Sequence, residues 1–233
     1  MHRKSTRSSI FTLVAAGVLA AVPALASAQK TVAPQREGET REVQLHALPT
    51  DGKMANLQDL VGKPVADFTL TDSEGKEHTL SDYLSDGKIV VLEWFCATCP
   101  YVVRHYQGES TMNDTVAKYE GKDVVWLAIA SGNTANPEAN QKAREGWDMA
   151  HPVLMDPTGD VGRAFGSKNT PTMYVINTDG VLAYGGGIDD NASGRNDNPT
   201  NFVVAAVDAL LSGSNLTTNY AKPYGCSVKY ARK

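Results

Sequence analysis

The sequence predicts an α/β fold in which a central mixed β-sheet, opened by an N-terminal β-hairpin, is flanked by helices. Two runs are apolar on both faces, "KIVVLEWF" and "DVVWLAIA", and the segment between them from Pro100 to Tyr119 is long enough for a helix. Strands buried on both faces with a helix between them read as a βαβ unit of a parallel sheet. Ahead of this unit, "VADFTLTDSEGKEHTL" alternates around a "DSEGK" turn; behind it, "PTMYVINTDGVLAYGGG" sets two strands about "NTDG". These hairpins add antiparallel pairs, which makes the sheet mixed.

Taken in chain order, Arg3, Lys4 and Arg7 precede the uncharged run "IFTLVAAGVLAAVPALA", which closes on "ASA" before Gln29. This is the pattern of a secretory signal peptide over residues 1–28, cleaved after Ala28. The run falls short of the roughly 20 apolar residues that span a bilayer and contains Pro23, so no membrane anchor is expected after cleavage. The protein is expected in the periplasm or secreted. Residues 29–58 are polar, and "APQREGETREVQ" has no useful periodicity, which predicts a flexible leader. The folded domain is expected over 59–212, followed by a C-terminal tail, 213–233.

Within the domain, "NPEANQKAREGW" reads as a helix capped by Asn136 with Pro137 in its first turn. "HPVLM" reads as a short strand and "DPTGDVGRAFG" as one or two helical turns. "PTNFVVAAVDALL" is an apolar helix capped by Thr200 or Asn201. The loop "GGGIDDNASGRNDNP" lacks the spacing of a calcium-binding loop and is expected to be solvated.

The formal charge is −4, and loss of residues 1–28 removes three cations and no acid, giving −7. Such a chain has no electrostatic footprint for nucleic acid or an anionic membrane. Its length gives core enough to fold without disulfide staples, and three cysteines are too few for a disulfide scaffold. The thiols therefore point to chemistry.

Two of them, Cys96 and Cys99, lie in "WFCATCPYV", at the end of a buried strand and the start of a helix. A dithiol exchanger needs one ionisable, accessible thiol and a second close enough to resolve the mixed disulfide. A helix N-terminus favours thiolate, and Pro100 suits a first helical turn. Other uses of the pair are weaker. A structural clip closes too small a loop to restrict the unfolded chain much. Zinc wants four ligands, and beyond the thiols only His46, His78, His105 and His151 are on offer, without paired spacing. Cu(I) would suit soft thiolates, and covalent haem is excluded because Pro100 follows Cys99 where a histidine is required. No cofactor or metal is expected.

From about Val61 to Leu211 the chain resembles the thioredoxin-like superfamily, in its redoxin branch related to alkyl hydroperoxide reductase and thiol-specific antioxidant proteins. The resemblance rests on "VADFTL", "VVLEWF" running into Cys96 and Cys99, "TPTMYVIN", "GGIDD" and "KPYGCSVKY". It implies a thiol-disulfide oxidoreductase with Cys96 as attacking thiolate and Cys99 as the more buried resolver. Protein thiols or disulfides and an upstream redox donor or acceptor would be its partners. It also implies a cis Thr170–Pro171 bond facing the cysteines, with the Thr170 backbone free to pair with a substrate strand; the residues alone allow an ordinary trans proline opening an edge strand. Trp94 and Phe95 are expected to line and shield the disulfide on the substrate side.

Two residues leave alternatives open. Glu93, in a strand built for burial, is either a raised-pKa proton relay to the resolving thiol or a solvated or ion-paired carboxylate at the strand mouth. Cys226, in the tail, is a candidate third redox cysteine able to pair with Cys99 or Cys96, or a free or intermolecular thiol. A thiol peroxidase is the alternative activity. The proline and threonine that precede a peroxidatic cysteine in such sites are missing, since Leu92 and Cys96 stand before Cys99, and Ile89 and Glu93 before Cys96. A third reading is a Cu-, Zn- or partner-binding module.

Overall fold

Ile89–Trp94 (β3) is buried along its whole length, which fixes it at the centre of the sheet. Its side chains alternate between two cores. Val91 and Phe95 enter one, and Val90, Leu92 and Trp94 enter the other. The computed structural model describes Val43 and residues 45–230; the expected signal peptide and half of the polar leader lie outside them.

β3 pairs in parallel with Val124–Ser131 (β4), and β4 in parallel with Val153–Asp156 (β5). Thr69–Asp72 (β1) and Glu77–Thr79 (β2) form the entry hairpin, with β1 antiparallel to β5. On the other side of β3, Met173–Ile176 (β7) and Leu182–Gly186 (β8) run antiparallel. The sheet order is β2-β1-β5-β4-β3-β7-β8, extended at β8 by Tyr220–Ala221 (β9). This is the mixed, thioredoxin-like architecture that the resemblance implies.

Helices cover both faces. Leu57–Leu60 (α1), Leu80–Ser85 (α2) and Asp160–Ala164 (α6) pack on the Trp94 side. On the Phe95 side lie Pro100–Val103 (α3), Thr111–Lys118 (α4), Pro137–Gly146 (α5) and Phe202–Ser212 (α7). Asn136 accepts from the Ala139 amide and Asn201 from the Val204 amide, so both expected caps form, the second at Asn201 rather than Thr200.

Three expectations need correction. The single helix from Pro100 to Tyr119 is α3, a π-helical turn over Arg104–Gly108, and then α4. Ser110, at φ 53°, interrupts the path, and the wide turn lets the consecutive residues His105 and Tyr106 both point inward. The described part of the leader is not loose: His46 bridges to Ala66, Asn56 caps α1, and Leu57 is buried against Gly185 of β8. The tail is also part of the domain, because β9 extends the main sheet and Cys226–Ser227 (β10) pairs with Asn169–Thr170 (β6).

Truncating Leu57 tests whether the segment before residue 59 belongs to the fold. Leu57→Ala is expected to cost about 2–4 kcal/mol in urea unfolding, whereas a change below about 0.5 kcal/mol would return the segment to the solvated surface.

Candidate active site

β3 ends at Trp94, the chain turns through Cys96, Ala97 and Thr98, and Cys99 becomes the N-cap of α3. The Cys99 amide donates to the Cys96 carbonyl at 3.0 Å, which closes the turn and holds the two cysteines together. Cys96 is partly exposed, with its Sγ 3.4 Å from the Thr98 hydroxyl, while Cys99 is buried. An accessible first thiol over a buried second one is the arrangement expected.

Across from Cys99 stands the Thr170–Pro171 bond, which is cis. The Cys99 thiol donates to the Thr170 carbonyl at 3.1 Å. Burial pushes the Cys99 thiol up, but hydrogen bonds from the side chains of Cys226 and Thr170 and from the backbone of Val102 and Cys226 outweigh it. The net result is a thiol below its ordinary value. The thiolate-supporting contacts thus converge on Cys99.

The Thr170 edge is already filled. β10 runs antiparallel to β6 with Cys226 opposite Thr170, so in this structure the tail takes the position expected for a substrate strand. Trp94 and Phe95 also differ from expectation, since both are fully buried and present no surface to a substrate. The Trp94 indole donates to the Ser131 hydroxyl, which donates to Asp156, and Phe95 packs against Tyr106 and Trp147. Their role is to stiffen the strand that carries the cysteines.

Glu93 is fully buried on the same face of β3 as Phe95. Its Oε2 accepts from the Tyr106 hydroxyl at 2.6 Å and from the Trp126 indole at 3.2 Å, and Oε1 has no partner. Desolvation raises its pKa to about 7, with the two hydrogen bonds pulling the other way. His151 Nε2 stands 3.0 Å from the Tyr106 hydroxyl and 3.9 Å from Glu93 Oε2. Burial, with the Arg144 charge, lowers this imidazole to about 3, so at neutral pH His151 is neutral rather than an ion-pair partner. Tyr106 and His151 were not legible as site residues, because neither falls in a motif. His151 also lines a cleft of about 640 Å³ with Trp126 and Pro152, which brings the network to the surface.

A second polar cluster holds the tail. The Tyr224 hydroxyl donates to Asp189 and lies 2.9 Å from His105 Nε2, and the Arg104 guanidinium spans the carbonyl of Asn191 and the carboxylate of Glu109. Asp189 and Asn191 are therefore buried, although their loop was expected to be solvated. Among the described residues, His105, Glu109 and Asp189 form one group whose ligand atoms could gather round a metal ion. Tyr224 engages Asp189 Oδ1 and His105 Nε2 and Arg104 faces Glu109, while His105 Nδ1 and Asp189 Oδ2 have no hydrogen-bond partner; no thiol belongs to the group.

The AhpC/TSA family model matches residues 61–185. Thiol-disulfide oxidoreductase ResA of Geobacillus thermodenitrificans is 32% identical over 123 residues, covering 52% of this chain and 66% of that protein. ResA of Geobacillus kaustophilus is 31% identical over a stretch of the same length and coverage. The match thus spans just under two thirds of these relatives. A hypothetical protein from Sinorhizobium meliloti 1021 shares the fold with a TM-score of 0.68 and 26% identity, covering 74% of this chain and 96% of its own. An uncharacterized conserved protein from Geobacillus kaustophilus does so at 0.62 and 30%, covering 74% and 93%.

Burial of Glu93 carries a pH signature. Its carboxyl ionises at about 7 when folded, against an ordinary 4.5, so folding favours the protonated form. That stabilisation is complete below pH 4.5, is lost as pH rises, and is gone above 7. Relative to Glu93→Gln, the wild type should lose about 3 kcal/mol over that window in urea unfolding. A pH-independent difference would mean the carboxylate is ionised throughout.

Proposed function

The chain belongs to the AhpC/TSA family, and on that premise we propose that it is an exported thiol-disulfide oxidoreductase working through the Cys96-Ala-Thr-Cys99 dithiol. The observation that carries this reading is the pairing of an accessible thiol with a buried one at the mouth of a rigid strand, with the buried sulfur's pKa lowered by hydrogen bonds from Cys226, Thr170 and the Val102 backbone. The similarity to ResA proteins supports the same chemistry. The basic, apolar and small-residue pattern of residues 1–28 supports export to the periplasm or beyond.

In the reducing direction, the Cys96 thiolate attacks one sulfur of a substrate disulfide. A mixed disulfide forms, and one substrate thiolate leaves. The Cys99 thiolate then attacks Cys96 Sγ, expelling the second substrate thiolate and closing the Cys96–Cys99 bond. Substrate gains two electrons and the dithiol loses two; the oxidising direction reverses each step. Electrons reside on sulfur throughout, and an upstream redox protein resets the pair.

Three residues support the exchange. Thr170, placed by the cis bond to Pro171, offers its carbonyl to the Cys99 thiol while that sulfur is protonated. Glu93 stores a proton one layer below the pair. Because its Oε2 already accepts two hydrogen bonds, the acidic proton sits on Oε1, and Tyr106 fixes the carboxyl's orientation.

Cys96→Ser and Cys99→Ser should each lower disulfide-exchange turnover at least about 100-fold with the fold intact by circular dichroism. Unchanged turnover in both variants would sink the dithiol reading. If hydrogen peroxide instead oxidises the protein faster than disulfide substrates at equal concentration, the activity is that of a thiol peroxidase.

A further inference from the structure

The tail is docked more firmly than a dispensable end requires. On one side of Cys226, the Tyr224 hydroxyl is held by Asp189 and His105, and the Gly225 carbonyl accepts from the Asn169 side chain at 3.3 Å. On the other side, the Val228 amide donates to the Lys168 carbonyl at 3.0 Å and the Lys229 carbonyl accepts from the Asn133 amide at 3.1 Å. The Tyr230 hydroxyl donates to the Ser167 carbonyl at 2.6 Å, and the Arg163 guanidinium lies over its ring. Contacts over seven consecutive residues hold one short stretch in place.

Cys226 sits at the centre of that stretch, directly opposite Thr170. Thr170 is also the residue whose carbonyl receives the Cys99 thiol. Gly225 makes the approach feasible: it takes φ +125°, and a Cβ there would collide with the Thr170 carbonyl. Cys96 and Cys226 both pack on the hydrophobic cluster that contains Cys99. Cys99 thus stands between two thiols, one presented by its own turn and one by the tail.

We infer that Cys226 is a third redox-active residue, and that the docked tail lets Cys99 exchange its disulfide partner between Cys96 and Cys226. The inference rests on the thiol-exchange function proposed for Cys96 and Cys99. After a substrate disulfide has been reduced and the Cys96–Cys99 bond has formed, Cys226 loses its proton and its thiolate attacks Cys99 Sγ. The Cys99–Cys226 bond forms as the Cys96–Cys99 bond breaks, and Cys96 leaves as a thiolate, free to take up the proton released by Cys226. Two electrons remain missing from the trio, so this is an isomerisation that needs no further oxidant.

The consequence is a division of labour. The oxidising equivalent moves to a bond beneath the docked tail, and Cys96 returns as a thiol beside a shallow groove of about 120 Å³ lined by Asn133, Thr134, Asn136 and Asn140. In the reduced protein, burial and the neighbouring Cys99 hold the Cys226 thiol up at about 11, which suits it to donate a hydrogen bond to Cys99 rather than to attack incoming substrate.

The test is disulfide mapping by mass spectrometry on alkylated full-length protein across a thiol–disulfide buffer titration, with wild type, Cys96→Ser and Gly225→Ala compared. Cys96→Ser should form a reversible Cys99–Cys226 bridge, and wild type should show both bridges. Gly225→Ala, which alters no sulfur, should lose the Cys99–Cys226 bridge, keep the Cys96–Cys99 bridge, and alkylate at Cys99 about tenfold faster when reduced. A Cys96→Ser protein that keeps Cys99 and Cys226 as thiols, under conditions where wild type forms Cys96–Cys99, overturns the inference and leaves the dithiol function standing. A wild type that forms only Cys99–Cys226 overturns both the exchange, since Cys99 then has a single partner, and the Cys96–Cys99 pair on which it rests.

Discussion

The carbonyl of Thr170 is the point on which the site is organised. It accepts the Cys99 thiol, its residue lies opposite Cys226 in the β6–β10 pair, and it precedes the cis bond to Pro171. A carbonyl has two lone pairs, so it can serve a thiol and remain part of a strand edge. Everything else at this end of the sheet serves to keep that oxygen in place. The Thr172 hydroxyl donates to the Asn169 carbonyl, and β7 leads the segment back against β3, where Met173 pairs with Glu93. The cysteine turn and the tail therefore share one reference point.

Beneath it, the buried acid explains how such a centre avoids an uncompensated charge. A carboxylate without a cation in a dry core costs several kcal/mol, and proteins usually neutralise the group instead. Here the cation that geometry offers is His151, yet burial disfavours its charged form as it disfavours the carboxylate. Two neutral groups joined through the Tyr106 hydroxyl satisfy both constraints. A proton held on Glu93 near neutral pH spares the core that charge.

How far this was legible follows from the lengths of the elements. β3 and β4, six and eight residues long and buried on both faces, announce themselves as apolar runs, and the asparagine caps of α5 and α7 are local hydrogen-bond chemistry. Strands of two residues, as in β6, β9 and β10, have no period to detect. The tail nevertheless carried a signal: Tyr224, Cys226, Val228 and Tyr230 alternate with Gly225, Ser227 and Lys229, a strand pattern over seven residues that its position after the last helix obscured. Leu57 is a single apolar anchor in a polar stretch, which composition averages away. The raised pKa of Glu93 was readable as one of two alternatives from a carboxylate in an apolar strand; its partners were not, because Tyr106 reaches it only through the π-helical turn.

A docked tail changes the competition for Cys99 in a way that sequence proximity does not. Segments tethered to one chain meet at effective concentrations of millimolar or more, and a preorganised geometry raises this by further orders of magnitude. Cys96 has that advantage through a three-residue turn. Cys226 is 127 positions away in sequence and acquires it only because Tyr224 and Tyr230 hold both flanks of its strand. The tethers are polar contacts at partly buried sites, so each contributes modestly and the set acts cooperatively. Release of the tail would therefore leave Cys96–Cys99 as the only near pair, whereas docking makes Cys99 common to two. The same thiol can then face substrate chemistry through Cys96 and storage through Cys226, with the tail's occupancy of β6 deciding between them.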